Sequence, residues 1–157
     1  MSFQHEGSKY FGVYLERTAR RVRQAYLHVF QQLGIDITTE QWVLLKNLYE
    51  RDGQSQTELA AGSFKNAPTV SRIIDLLVKK GWVLRQVAPG DRRRFQVCLT
   101  PLGHSTVEAI YPAVLELRSQ GWQGLSDEDY HTFIRILNCV FDNYEAMGDH
   151  SSPSQDL

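Results

Sequence analysis

At Gly81 the apolar spacing of this chain switches from helical to strand-like, and the segments on either side leave few folds open. Before the switch, Val70, Ile73, Ile74, Leu77 and Val78 recur at i, i+3, i+4, i+7 and i+8, one face of an amphipathic helix. After it, Trp82–Val87 is short and β-prone, and Ala88-Pro89-Gly90-Asp91 is a turn cluster. Phe95, Val97 and Leu99 then alternate with polar residues, which predicts a second strand with those three on one face. Upstream, Ser55-Gln56-Thr57-Glu58 is a capping box that opens a short helix through Leu59, Ala60 and Ala61. Gly62-Ser63-Phe64-Lys65 breaks that helix, Asn66 caps the next, and Pro68 is tolerated in its first turn. A short helix, a turn, an amphipathic helix and a hairpin make a winged helix-turn-helix.

The flanks are helical. Apolar residues recur with helical period from Tyr10 to Leu33, and Gly34 stops that run. Thr38-Thr39-Glu40-Gln41 is a capping box for a helix that carries the apolar residues Trp42, Val43, Leu45, Leu48 and Tyr49. Thr100-Pro101 starts a helix to about Gly121, with a bend at Pro112. Ser126-Asp127-Glu128-Asp129 starts the last, with Tyr130, Phe133, Ile134, Leu137, Val140, Phe141 and Tyr144 as its apolar stripe. The first and last helices carry more apolar surface than one small core needs, which points to a second copy of the chain. The expected fold is mainly α: a winged helix-turn-helix (three-helix core plus β-hairpin wing) with long N- and C-terminal dimerisation helices. In one domain of 157 residues, 10–37 and 101–146 are expected to dimerise, 38–100 to form the DNA-binding subdomain, and 147–157 to be a polar tail.

Charge is distributed unevenly. The formal net charge is −1. Residues 65–100 hold eight Lys/Arg against Asp75 and Asp91, a local +6, while residues 101–157 hold two against nine, a local −7. A basic centre inside a near-neutral chain is the electrostatic footprint of a nucleic-acid binder. An apolar share of 42% is enough for a core, and no run is long enough to span a membrane. Met1–Tyr10 has no secretory apolar stretch, and two cysteines make no disulfide framework, so the expected location is cytoplasmic. No nucleophile-elbow, Walker or zinc-protease motif occurs, so no enzyme is expected. His104 and Glu108 at i, i+4 are two ligands short of a metal site, so no metal or cofactor is expected. Cys98 and Cys139 have no basic neighbours in sequence to activate them.

A major groove ~12 Å wide admits one helix, N-terminal residues nearest the bases. Lys65, Asn66, Thr69, Ser71 and Arg72 are therefore the candidate contacts of the second helix. Arg92, Arg93 and Arg94 beside the wing turn suit a narrow, electronegative minor groove. Arg72 has an alternative use, pairing with Asp75 or Glu58 on its own surface. The alternative function is a winged-helix protein-interaction module that does not bind DNA. Tyr10, Tyr14, Arg17, Arg21, Trp42 and Tyr111 are candidates to line a cleft for a small-molecule effector, or else to pack an interface.

The segment from Asp91 to Gly103 resembles the wing signature of the MarR (multiple antibiotic resistance regulator) family, with Asp91, Arg93, Val97, Leu99, Thr100 and Gly103 matching. Leu59-Ala60, Thr69-Val70-Ser71-Arg72, Leu77 and Lys80-Gly81 fall at that family's helix-turn-helix spacings, and Thr38–Trp42 resembles its second-helix opening. The resemblance covers Tyr10 to Tyr144. It implies a homodimeric transcriptional regulator, more often a repressor, that places two winged helices over one pseudo-palindromic stretch of double-stranded DNA. It also implies that Arg93 enters the minor groove, that Asp91 holds Arg93 by a charge-assisted pair, and that a small, often phenolic, anion releases the DNA. Ser63 departs from the family pattern, which has an apolar residue there.

Overall fold

The structure, a computed structural model, describes residues 9–148. The elements are α1 (Phe11–Gln32), α2 (Thr39–Glu50), α3 (Gln56–Ser63), α4 (Ala67–Lys79), β1 (Val83–Ala88), β2 (Asp91–Leu99), α5 (Pro101–Gly121) and α6 (Asp127–Gly148). Helix α6 takes in residues 147 and 148 of the expected tail; the rest of the tail lies outside the described residues. The chain divides into two compact units, one up to Leu117 and one from Arg118.

Side-chain caps set the starts of α2, α3, α4 and α5, while α1 begins without one. Thr38 accepts from the Gln41 N–H while the Gln41 side chain accepts from the Thr38 N–H, and Ser55 and Glu58 do the same for α3. Asn66 Oδ1 accepts from the Thr69 N–H at 2.9 Å, and Pro68 sits in the first turn of α4. Thr100 Oγ1 accepts from the Gly103 N–H and donates to the Gly81 carbonyl, which ties the start of α5 to the end of α4. Four of these starts were legible as sequence signals because a cap needs only one short polar side chain at one spacing.

The core of this unit is formed by Phe30, Trp42, Leu44, Leu45, Leu48, Leu59, Val70, Ile73, Ile74 and Leu77, closed by Val83, Val97 and Leu99 of the hairpin and by Val107, Ile110 and Val114 of α5. Burying such a side chain stabilises by about 1.5–3 kcal/mol. The expected core changes at five places. Leu44 is fully buried rather than Val43, and Tyr49 is at the surface. Val78 is 39% exposed, because eight residues of helix carry it ~80° round from Val70 and off the core arc. Phe95 is 64% exposed, since only the last three residues of β2 lie over the core and the outer wing projects past it. Cys98 is buried for the same reason.

Strands β1 and β2 pair antiparallel from Val83↔Leu99 to Val87↔Phe95, with an irregularity between Val87 and Ala88. β2 starts four residues earlier than expected, at Asp91. Gln54 adds a single bridge to Val97, and Asp52 Oδ1 accepts from the Leu99 N–H, so the α2–α3 loop seals the wing base. Gly103 permits the closest approach among the described glycines: a Cβ there would sit 2.0 Å from the Trp82 carbonyl oxygen.

In the second unit, Ser126 caps α6 through the Asp129 N–H, and the Asp129 carboxylate accepts from the Ser126 N–H. Trp122 packs edge-on against Tyr130 and Phe133. The expected stripe of α6 is present, yet no residue of α6 is buried. Among the described residues, no helix is long and apolar enough to cross a membrane.

Candidate nucleic-acid interface

Helix α4 buries Val70, Ile73, Ile74 and Leu77 and so turns Pro68, Arg72, Asp75 and Lys79 outward. One of those four is an acid, which would repel a phosphate. Arg85 of β1 removes that problem: its Nη2 lies 2.7 Å from Asp75 Oδ1, and its Nε donates to Gln56 Oε1 of α3 at 3.1 Å. Glu58 faces Arg51 at 3.5 Å. Its carboxyl is held below the ordinary value of 4.5, first by the Ser55 N–H and then by Arg51 and Arg94. Neither expected acid is therefore the partner of Arg72. Among the described residues Arg72 is exposed and forms no ion pair.

Asn66 is exposed but spends its Oδ1 on the cap, leaving its amide N–H groups outward. Thr69, Ser71 and Lys65 are half-buried around the same helix start. Ser63 is buried and satisfied, its hydroxyl donating to the Leu59 carbonyl at 2.7 Å. A serine replaces the expected apolar side chain there without stranding a polar atom.

At the wing tip, Pro89-Gly90 forms a two-residue turn between Ala88 and Asp91, with Gly90 at φ +81°. Arg92, Arg93 and Arg94 follow, all exposed and without an ion pair among the described residues. Asp91 is placed differently from the expectation. Its Oδ1 accepts from the backbone N–H of Arg93 at 3.0 Å, and no pair joins its carboxylate to the guanidinium. A carboxylate two residues behind an N–H shapes the turn, and so aims Arg93 through the backbone. Sequence reading missed Arg85, because its partners Asp75 and Gln56 lie on two other elements.

The effector candidates fall into two groups within one copy of the chain. Tyr10, Tyr14, Arg17 and Arg21 are exposed on or beside α1, with the Arg17 guanidinium 4.7 Å from the Tyr14 ring centre. Trp42 is only 2% exposed, packed 6.2 Å from Phe30 and 6.3 Å from Tyr111, which itself stacks on Tyr49. Large aromatics at helical spacing went to the core, where they bury the most area. His104 packs against Tyr49 at 5.8 Å, and among the described residues no group of three or more His, Cys, Asp or Glu could hold a metal ion. Burial, then Asp52, pushes the Cys98 thiol above its ordinary pKa, so it is not an activated nucleophile. Cys139 is exposed.

The MarR family model matches residues 37–95, the stretch from the start of α2 to the wing. The HTH-type transcriptional repressor IacR of Pseudomonas putida is 26% identical over 129 residues, covering 81% of this chain and 77% of that one. The S. aureus MepR–DNA complex superposes with a TM-score of 0.74 at 27% identity, covering 85% of this chain and 97% of that one. A Bordetella bronchiseptica structure, BpsR, whose DNA binding is described as regulated by 6-hydroxynicotinic acid, gives 0.62 at 25% identity, covering 81% and 98%.

Proposed function

We propose that the chain is a MarR-family DNA-binding transcriptional regulator that works as a homodimeric repressor on a pseudo-palindromic operator. The observation that carries the reading is the sorting of charge at residues 58–94. Asp75, Glu58 and Asp91 are each occupied within the protein, while among the described residues Arg72, Arg92, Arg93 and Arg94 are exposed and form no ion pair. Cations left free of their own acids are what phosphates require. In this reading Lys65, Asn66, Thr69, Ser71 and Arg72 meet the major groove, and the three wing arginines flank it in the minor groove. Asp91 supports the wing. Residues 10–37 and 101–146 form the dimer platform and 38–100 the DNA-binding part. The bare apolar stripe of α6 supports the platform. The partner DNA puts its place of work in the cytoplasm.

The proposed release signal is a small aromatic anion. The 6-hydroxynicotinic acid that regulates DNA binding by BpsR supports the class, and Arg17 over Tyr14 offers a cation beside a ring face. The test of the main reading is a mobility shift at several salt concentrations on the DNA upstream of its own gene. Sequence-selective retardation of a dimer is the expected result. A protein that retards no duplex better than competitor DNA overturns it.

A further inference from the structure

Phe64 is the most exposed large apolar residue among those described, at 95%. Its backbone is left-handed, at φ 55° and ψ 36°, and it is the only non-glycine residue with positive φ among those described. Both features oppose folding. A phenyl ring in water gains nothing from the core, and a Cβ in the left-handed region is strained where glycine would not be. Glycine is the residue the α3 C-cap asks for, and the chain has a large aromatic there instead.

The position explains what the ring is for. Phe64 stands two residues before Asn66, the N-cap of α4, in the turn that leads into that helix. Residues at the N-terminal end of a recognition helix are the ones nearest the base edges. Lys65, beside it, supplies charge for a phosphate; an uncharged ring instead suits the C5-methyl group of thymine at the groove wall. Resting on the DNA-binding reading above, we propose that Phe64 is a specificity-determining contact of the α3–α4 turn, whose ring is buried against a thymine methyl only in the DNA complex. Strain retained at one exposed residue is then the cost of a contact made with the partner.

The test uses the full chain and a duplex that it selects from a random-sequence pool. Phe64→Gly relieves the backbone, and Phe64→Asn keeps a residue that tolerates the left-handed region. Melting temperature, affinity and the slope of affinity against salt are measured for each, with a second duplex carrying uracil for thymine. Both variants should keep a melting temperature at or above the parent's and bind about tenfold more weakly, a loss on the scale of one base contact. Their salt slope should equal the parent's, because a ring releases no counterion. Uracil should weaken the parent and leave the variants unchanged. Variants within twofold of the parent, a shallower slope, or an equal response to uracil in parent and variants overturn the contact while leaving DNA binding standing. A parent that selects no duplex removes both.

Discussion

Asp75 is a carboxylate on the outward face of α4, the face proposed to meet DNA, and Arg85 is paired with it. Removing the guanidinium frees that charge, so Arg85→Ala should weaken DNA binding although the side chain points at the protein's own acid. Arg85→Ala combined with Asp75→Ala should recover much of the loss, which a double-mutant cycle on binding measures. Asp91 has a similar indirect role. Asp91→Asn keeps an acceptor for the Arg93 N–H and should bind within a few-fold of the parent, whereas Asp91→Ala should lose more. These residues mark the limit of sequence reading. Arg92 to Arg94 were legible because three adjacent cations beside a Pro-Gly turn need no tertiary knowledge. The Arg85–Asp75 pair joins residues ten apart on different elements, and no local spacing announces it. Asp91 was legible as important but not in its bond, because the family pattern gives residue types and not which atom meets which. Trp42 and Tyr111 fell to the core for want of any sequence signal separating a packed aromatic from a ligand-facing one.

At the scale of elements, caps and close packing set the fold. Ser55→Ala removes one half of the α3 box and should cost about 1 kcal/mol, read by denaturant unfolding. The Glu58 half is pH-sensitive. Its carboxyl titrates below 4.5 when folded, so its contribution is present above that value and is lost as acid carries the pH down through the lowered one. Glu58→Gln should therefore flatten the acid limb of the stability curve by lowering stability at neutral pH, where the charged carboxylate contributes, and change little at pH values below its folded titration. Gly103→Ala puts a methyl against the Trp82 carbonyl where α5 meets the hairpin. It should destabilise by about 1–3 kcal/mol, the scale of overpacking, and lower the melting temperature by several degrees. The starts of α2 to α6 were readable from the chain because each is one side chain bonding three residues on. The extent of β2 was not, since Asp91–Arg94 are polar on both faces and alternation carries no information where neither face is buried.

Across the whole molecule, the two ends are the parts least complete in one copy. Helix α6 carries Phe133, Ile136, Phe141 and Tyr144 at the surface, and α1 carries Val13, Tyr14, Leu15 and Val22. Sedimentation at micromolar concentration should show a dimer, and a stable monomer would remove the platform from residues 10–37 and 101–146. Two DNA-binding parts on one two-fold axis would then set half-sites about one helical turn apart, ~34–36 Å. The most direct measurement is the affinity for the operator as a function of salt, for the parent and for Arg93→Ala. With a +6 segment present twice in the dimer, roughly six to ten phosphate contacts are expected. Affinity should fall about 10³–10⁵-fold between 50 and 200 mM salt, and Arg93→Ala should bind more weakly with a slope shallower by about one for each arginine lost. A flat salt dependence, or an Arg93→Ala dimer that binds like its parent, would contradict DNA binding through α4 and the wing.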